Sequence, residues 1–301
     1  MALIDELAQA AQSVADGAGK SVVRIGRRWR GGSGFIVGPG IVLTNAHNTL
    51  ADTLPVTFAD GRRAEATVRG TDVDGDLAAL SVDTGDLPAV EWTAEPARLG
   101  SAVFGVSLTG AGQVRVTVGF VSGVGREFRG PRGRRIAGGL EHTAPLAPGS
   151  SGSPLVGVDG KVVGINTNRL GDGFYLALPA SDPLASRAAD LGRGQSTERP
   201  RLGIGLAPAR VARRMRRAVG LEERDGLLVR AVEDGSPAAS AGIAEGDLIV
   251  SAAGRPLADA DDLYDVLGDL GSGQTVELGV VRGANERAVT VRLGATGEQR
   301  G

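Results

Sequence analysis

The stretch Leu146-Ala147-Pro148-Gly149-Ser150-Ser151-Gly152-Ser153-Pro154 sets hydroxyls between glycines, with no apolar run to build a helix or strand. Glycine takes positive φ readily and lets another molecule come close to the main chain. In Gly149-Ser150-Ser151-Gly152 that freedom lets the N–H groups of Gly149 and Ser151 converge beside the Ser151 hydroxyl. Two convergent donors next to a nucleophilic oxygen make an oxyanion hole, often the largest single contribution to acyl transfer. Alone, the same letters also spell a surface turn. The rest of the chain has to decide.

A serine is a weak nucleophile without a base, and the chain holds two histidines, His47 and His142. His47 ends the run Gly40-Ile41-Val42-Leu43-Thr44-Asn45-Ala46, where a rigid strand can hold it; His142 lies just ahead of the serine loop. A third group must fix the imidazole tautomer. Asp76 opens the apolar run Leu77-Ala78-Ala79-Leu80, which carries its charge inward, where an unpaired carboxylate is costly. A histidine partner removes that cost. The order His47, Asp76, Ser151 is that of chymotrypsin-like proteases, not of subtilisins or α/β-hydrolases.

Thr44-Asn45-Ala46-His47, Asp76-Leu77-Ala78-Ala79-Leu80 and Pro148-Gly149-Ser150-Ser151-Gly152-Ser153-Pro154-Leu155 resemble the triad motifs of the HtrA/Deg family, and the gaps between them are similar. The match departs in details. Asn48 stands where valine is usual, Ser150 and Ser153 replace Asn and Gly, and Thr143 replaces an aspartate. None of these removes a catalytic atom, although Ser150 bears on the shape of the oxyanion loop. The resemblance implies a mainly β chain: a chymotrypsin-like double β-barrel, with His47 and Asp76 from the first barrel and Ser151 from the second. It implies the oxyanion donors Gly149 and Ser151, and a substrate strand pairing near Ile165-Asn166-Thr167. Leu146 and Thr143, in place of an acid before the nucleophile, predict cleavage after small or medium aliphatic residues. No metal or organic cofactor is implied.

At 301 residues the chain has room for two domains. An apolar share of 42% with 23% charged is globular, and 3% aromatics leave the core to Val, Leu, Ile and Ala. The net charge of −2 argues against nucleic acid as a partner of the whole chain. With no cysteine there is neither a disulfide framework nor a thiolate metal site. The start, Met1-Ala2-Leu3-Ile4-Asp5-Glu6-Leu7, is acidic and unlike a secretory signal. No run approaches the ~20 apolar residues of a membrane span. As written, the expectation is a cytoplasmic protein, or an exported one if the start is trimmed.

Residues 3–16 carry apolar side chains at helical spacing. Gly17-Ala18-Gly19-Lys20-Ser21 then resembles the end of a phosphate loop, but its first glycine is missing and a helix precedes it. From Ser21 to Leu178 short runs separated by Gly, Asp and Pro predict strands: 21–25, 34–37, 41–44, 64–68, 77–82, 103–106, 114–124, 155–158, 161–167 and 174–178. Asp159-Gly160 is a hairpin signal. Gly125–Arg135, with five arginines and one aromatic, reads as a solvated basic loop. Residues 181–193 read as helix.

Gly192–Pro200 is polar and rich in breakers, and marks a boundary. The expected organisation is an N-terminal helical segment over 1–19, a protease domain over 20–190, a linker over 191–200, a second domain over 201–295 and a tail over 296–301. In the second domain Gly235-Ser236-Pro237-Ala238, Ala241-Gly242-Ile243 and Gly246-Asp247-Leu248-Ile249 resemble a circularly rearranged bacterial PDZ domain, a smaller α/β unit. That resemblance implies capture of peptide C-termini by Leu202, Gly203 and Ile204, beside a groove helix over 259–270. Arg210–Arg217 reads as a solvated basic face. The function expected is a serine endopeptidase acting on unfolded or damaged polypeptides. The alternative is a non-catalytic PDZ scaffold or holdase on a protease fold. Related proteases form trimers, so the resemblance admits a homo-oligomer.

Overall fold

The structure is a computed structural model that describes residues 2–27, 30–73, 75–129, 135–196, 201–207, 209–218, 220–268, 270 and 273–294. The chain falls into two compact units, residues 1–197 and 198–301.

The first unit opens with helix α1 (Ala2–Asp16), whose Leu7, Ala10, Ala11 and Val14 turn onto the core. Six strands follow: β1 (Val22–Arg27), β2 (Arg30–Gly38), β3 (Ile41–Thr44), β4 (Thr53–Phe58), β5 (Arg63–Asp72) and β6 (Leu77–Ser81). They close into a barrel in the order β1-β2-β3-β6-β5-β4. A second six-stranded barrel, order β10-β11-β12-β9-β8-β7, is made by β7 (Ala102–Leu108), β8 (Val114–Arg129), β9 (Arg135–His142), β10 (Pro154–Val156), β11 (Val162–Gly171) and β12 (Phe174–Pro179). Helix α2 (Asp182–Gly192), capped by the Ser181 hydroxyl, packs back on β5 and β6.

Alternation along each strand assigns side chains to two places. Val23, Ile25, Val42 and Leu80 fill the first barrel, while their neighbours Val22, Leu43 and Ala79 enter a seam shared with Phe104, Val156, Ile165 and Leu176 of the second. Strands buried on both faces need continuous apolar runs, which is why Leu77-Ala78-Ala79-Leu80 has no polar member. A fully buried aliphatic side chain contributes about 1.5–3 kcal/mol, so this seam locks the barrels together.

Two expectations change. The basic segment 125–135 is not a free loop: β8 runs to Arg129 and pairs with β9 through Arg126↔Gly139, Phe128↔Ile136 and Arg129↔Arg135. Phe128 is buried, which draws the ladder outward; residues 130–134 lie outside the described residues. The strands β4 and β9 were not expected at all.

The second unit is an antiparallel sheet, order β13-β14-β15-β17-β18, with two helices longer than one turn among the described residues. Its strands are β13 (Ile204–Ala207), β14 (Leu227–Val232), β15 (Leu248–Ala252), the short β16 (Arg255–Pro256) on β15, β17 (Thr275–Arg282) and β18 (Asn285–Arg292). The helices are α3 (Ala209–Ala218), the single turn α4 (Pro237–Ser240) and α5 (Ala260–Gly268). Gly246-Asp247 has a structural explanation. Asp247 is fully buried, accepts from Arg282 at 2.7 and 2.8 Å, and caps the Ala244 N–H at 3.0 Å. Burial pushes its carboxyl up, but these bonds outweigh burial and hold it below the ordinary carboxylate range. The basic face of α3 is not wholly solvated: Arg216 is buried and donates to the Glu222 carbonyl at 2.9 Å. The expected linker residues 197–200 and tail 296–301 lie outside the described residues.

Candidate active site

The site lies at the ends of strands of both barrels. β3 delivers Thr44 and Asn45, and a short turn places His47 half-buried beyond them. Asp76, immediately before β6, is 3% exposed and has a φ of 53°, left-handed backbone that aspartate tolerates better than most residues. That conformation is held from several sides. The Asp76 carbonyl accepts from Asn45 Nδ2 at 2.9 Å. Its carboxylate accepts from the His47 backbone N–H at 3.1 Å and lies 2.9 Å from His47 Nδ1 through either oxygen. Thr167 Oγ1 donates to Asp76 Oδ2 at 2.8 Å. A buried carboxylate with this many partners is satisfied, and a proton on Nδ1 leaves Nε2 as the basic nitrogen.

Ser151 joins the same network. Its hydroxyl donates to the Thr167 carbonyl at 2.9 Å, and no bond from it to the His47 ring is present among the described residues. Gly149 and Gly152 flank it at φ 87° and 88°, which only glycine holds without strain. A Cβ on Gly152 would lie 2.2 Å from the Ser33 carbonyl oxygen, so glycine is also required sterically. The loop is clamped by the first barrel. Ser33 donates from its N–H to the Ser151 carbonyl at 2.8 Å and from its hydroxyl to the Gly149 carbonyl at 2.8 Å. Asn48 Nδ2 adds a bond to the Ser151 carbonyl at 2.9 Å. Ser150 N–H closes a turn onto the Ala147 carbonyl at 3.1 Å. The N–H groups of Gly149 and Ser151 have no acceptor among the described residues.

A cavity of about 260 Å³ opens beside the Ser151 hydroxyl, between segment 146–151 and Asn166, Thr167, Arg169 and Tyr175. Leu146, Asn166 and Thr167 therefore border it. Ile165 does not: it pairs with Pro154 on one side and Leu178 on the other, and its side chain fills the seam. The edge of β11 opposite β12 becomes free only beyond Asn166, whose carbonyl accepts from Gly152 N–H at 2.7 Å. Thr143 also stands apart, its hydroxyl accepting from Phe120 N–H at 3.0 Å. His142 is fully buried against Tyr175. Ser33, Asn48, Arg169 and Tyr175 were missed. Asn48 was visible only as a departure from a pattern, and Arg169 had no local signal, because the ladder shifts between Asn166 and Asn168.

In the second unit Gly203 has φ 72°, and a Cβ there would lie 2.3 Å from Ser236 Cβ. Its carbonyl accepts from Glu233 N–H at 2.9 Å, and the Leu202 carbonyl accepts from Ala238 N–H at 2.9 Å. The N–H groups of Leu202 and Gly203 have no acceptor among the described residues. Leu202 is 3% exposed and belongs to the core of the unit, so it does not line an open hollow; Ile204 is half-buried.

Comparison with known proteins agrees with this architecture. Residues 32–165 match the trypsin-like peptidase domain model and residues 200–293 the PDZ domain model. A putative serine protease HhoA of Synechocystis is 33% identical over 276 residues, covering 87% of this chain and 70% of that protein. The chain belongs to the HtrA family of serine proteases. A probable periplasmic serine endoprotease DegP-like from Halomonas elongata is 32% identical over 270 residues, covering 87% of this chain and 56% of that one. The chain thus spans little more than half the length of such DegP-like relatives. The crystal structure of a serine endoprotease from Yersinia pestis superposes with a TM-score of 0.67 at 26% identity, covering 95% of this chain and 97% of that one. Among the described residues of this HtrA member no helix is long and apolar enough to cross a membrane.

Proposed function

We propose that the chain is a serine endopeptidase that hydrolyses unfolded polypeptides through Ser151, His47 and Asp76, and that its second unit captures peptide C-termini. The observation that carries this reading is the continuous network from His47 Nδ1 through Asp76 and Thr167 to the Ser151 hydroxyl. Ser151 turns about its Cα–Cβ bond from the Thr167 carbonyl to His47 Nε2 and attacks the peptide carbonyl. His47 takes the hydroxyl proton and passes it to the leaving amine. Asp76 holds the imidazole in the required tautomer and stabilises its charged form. The idle N–H groups of Gly149 and Ser151 receive the oxyanion. A polypeptide in extended form pairs with the free edge of β11 from Thr167 onward. The test is labelling by a peptidyl phosphonate, which reacts only with an activated serine. One equivalent should attach to Ser151 in the wild type and none in His47→Ala; an unlabelled wild type would leave the scaffold reading.

For the second unit, the support is the pair of unaccepted N–H groups at Leu202 and Gly203, beside β13 at the edge of its sheet. Such a nest takes a carboxylate while the peptide adds a strand to the edge. With the full-length Ser151→Ala protein, a free peptide ending in an apolar residue should bind at least ~10-fold more tightly than its C-terminal amide, because hydrogen bonds to a charged group are lost. Equal affinities by calorimetry would remove the carboxylate site.

A further inference from the structure

Among the described residues that line the cavity beside Ser151, one is charged. Arg169 stands in its wall, and every other described residue bordering it is neutral. Its place is set by strand pairing. Arg169 faces Tyr175 across the β11–β12 hairpin, and its guanidinium carbon lies 5.8 Å from the Tyr175 ring centroid. Tyr175 is a fixed platform, 6% exposed and stacked on the buried His142 ring at 5.8 Å and 25°. Arg169 is exposed, and a cation over such a ring is attracted to its face, which biases the guanidinium toward Tyr175. Among the described residues Arg169 has no ion pair, and the Asp76 carboxylate of the site is committed to His47 and Thr167.

We infer that this pocket selects an acidic side chain, so that the enzyme cleaves after aspartate or glutamate. The inference rests on the protease reading above and names its substrate class. An aliphatic side chain in this cavity would cover the guanidinium and strip its water without giving a partner, which is unfavourable for a charge. A basic side chain would be repelled. A carboxylate supplies two acceptors to the planar fork of the guanidinium, the geometry arginine recognises best. Leu146 and Thr143 alone predict an aliphatic preference, but Thr143 faces β8 instead of the pocket and Arg169 lines it.

The experiment is a peptide library varied only at the residue before the scissile bond, run on wild type, Arg169→Ala and Arg169→Glu, with casein cleavage and phosphonate labelling of Ser151 in parallel. In the wild type kcat/KM for glutamate should exceed that for leucine by roughly 10- to 100-fold, the worth of hydrogen bonds to a charged group. Arg169→Ala should bring that ratio to about one or below, and Arg169→Glu should favour lysine over glutamate. Because each ratio is taken within one variant, a general loss of activity does not imitate the result. A wild type that labels, digests casein and cleaves after valine, alanine or leucine, with a profile unchanged in Arg169→Ala, overturns the inference and leaves the protease reading standing. Absence of both labelling and cleavage overturns the two together.

Discussion

Ser151→Ala should lower kcat on a peptide substrate by about 10⁶-fold, and His47→Ala should do nearly the same, because the members of the proposed triad would act as a unit. For that reason the double variant should be little worse than either single one. The fold should survive both changes. Ser151 and His47 are only half-buried at the mouth of a cavity, so truncation leaves no hole in the core. The neighbouring hydroxyls give the control. Ser153 is fully buried and accepts from Asn166 Nδ2 at 2.9 Å, out of reach of a substrate. Ser153→Ala should therefore cost stability of about 1 kcal/mol, the worth of one hydrogen bond, while cleavage continues. Steady-state rates on one peptide, with thermal melts of each variant, separate the two effects. If Ser151→Ala cut at the wild-type rate while Ser153→Ala lost activity, the nucleophile would have to be reassigned.

The sequence was most legible where chemistry and secondary structure share one short segment. That His47 meets Asp76 could be argued from a strand end and an aspartate entering an apolar run, since both are local signals. Ten barrel strands were legible for the same reason. β4 was not, because Pro55 interrupts an otherwise alternating Leu54, Val56, Phe58 set; pairing with β1 starts only at Val56, so the missing N–H is tolerated. β9 was hidden by Gly138 and Gly139. Contacts between distant segments left no trace of any kind. Thr167 reaches Asp76 across 91 residues, and Ser33 reaches Gly149 across 116. Those bonds depend on how two closed barrels meet, which no window of sequence contains. Arg169 enters the pocket by the register of a hairpin whose ladder shifts between Asn166 and Asn168, so alternation alone does not place it.

Acid should destabilise the first unit through His142. The imidazole has no exposed surface and neither ring nitrogen has a hydrogen-bond partner among the described residues. Burial pushes it down from its ordinary 6.5 to about 4. Charged groups close by are otherwise engaged: Glu141, next along β9, binds Arg126 at 3.2 Å, and Arg169 lies over Tyr175. The direction follows from proton counting. Between about pH 6.5 and 4 the unfolded chain holds a proton on His142 that the folded protein does not, so stability is complete above this window and falls as pH drops through it. At about 1.4 kcal/mol per pH unit the full loss is about 3 kcal/mol, levelling off below the folded value. His142→Phe keeps a ring on Tyr175 and removes the titration. Both tryptophans, Trp29 and Trp92, lie in the first unit, so their fluorescence during denaturant unfolding reports that unit alone. From pH 7.5 to pH 5 the wild type should lose about 2 kcal/mol more than His142→Phe. Equal losses in the two proteins would assign the acid sensitivity to other groups.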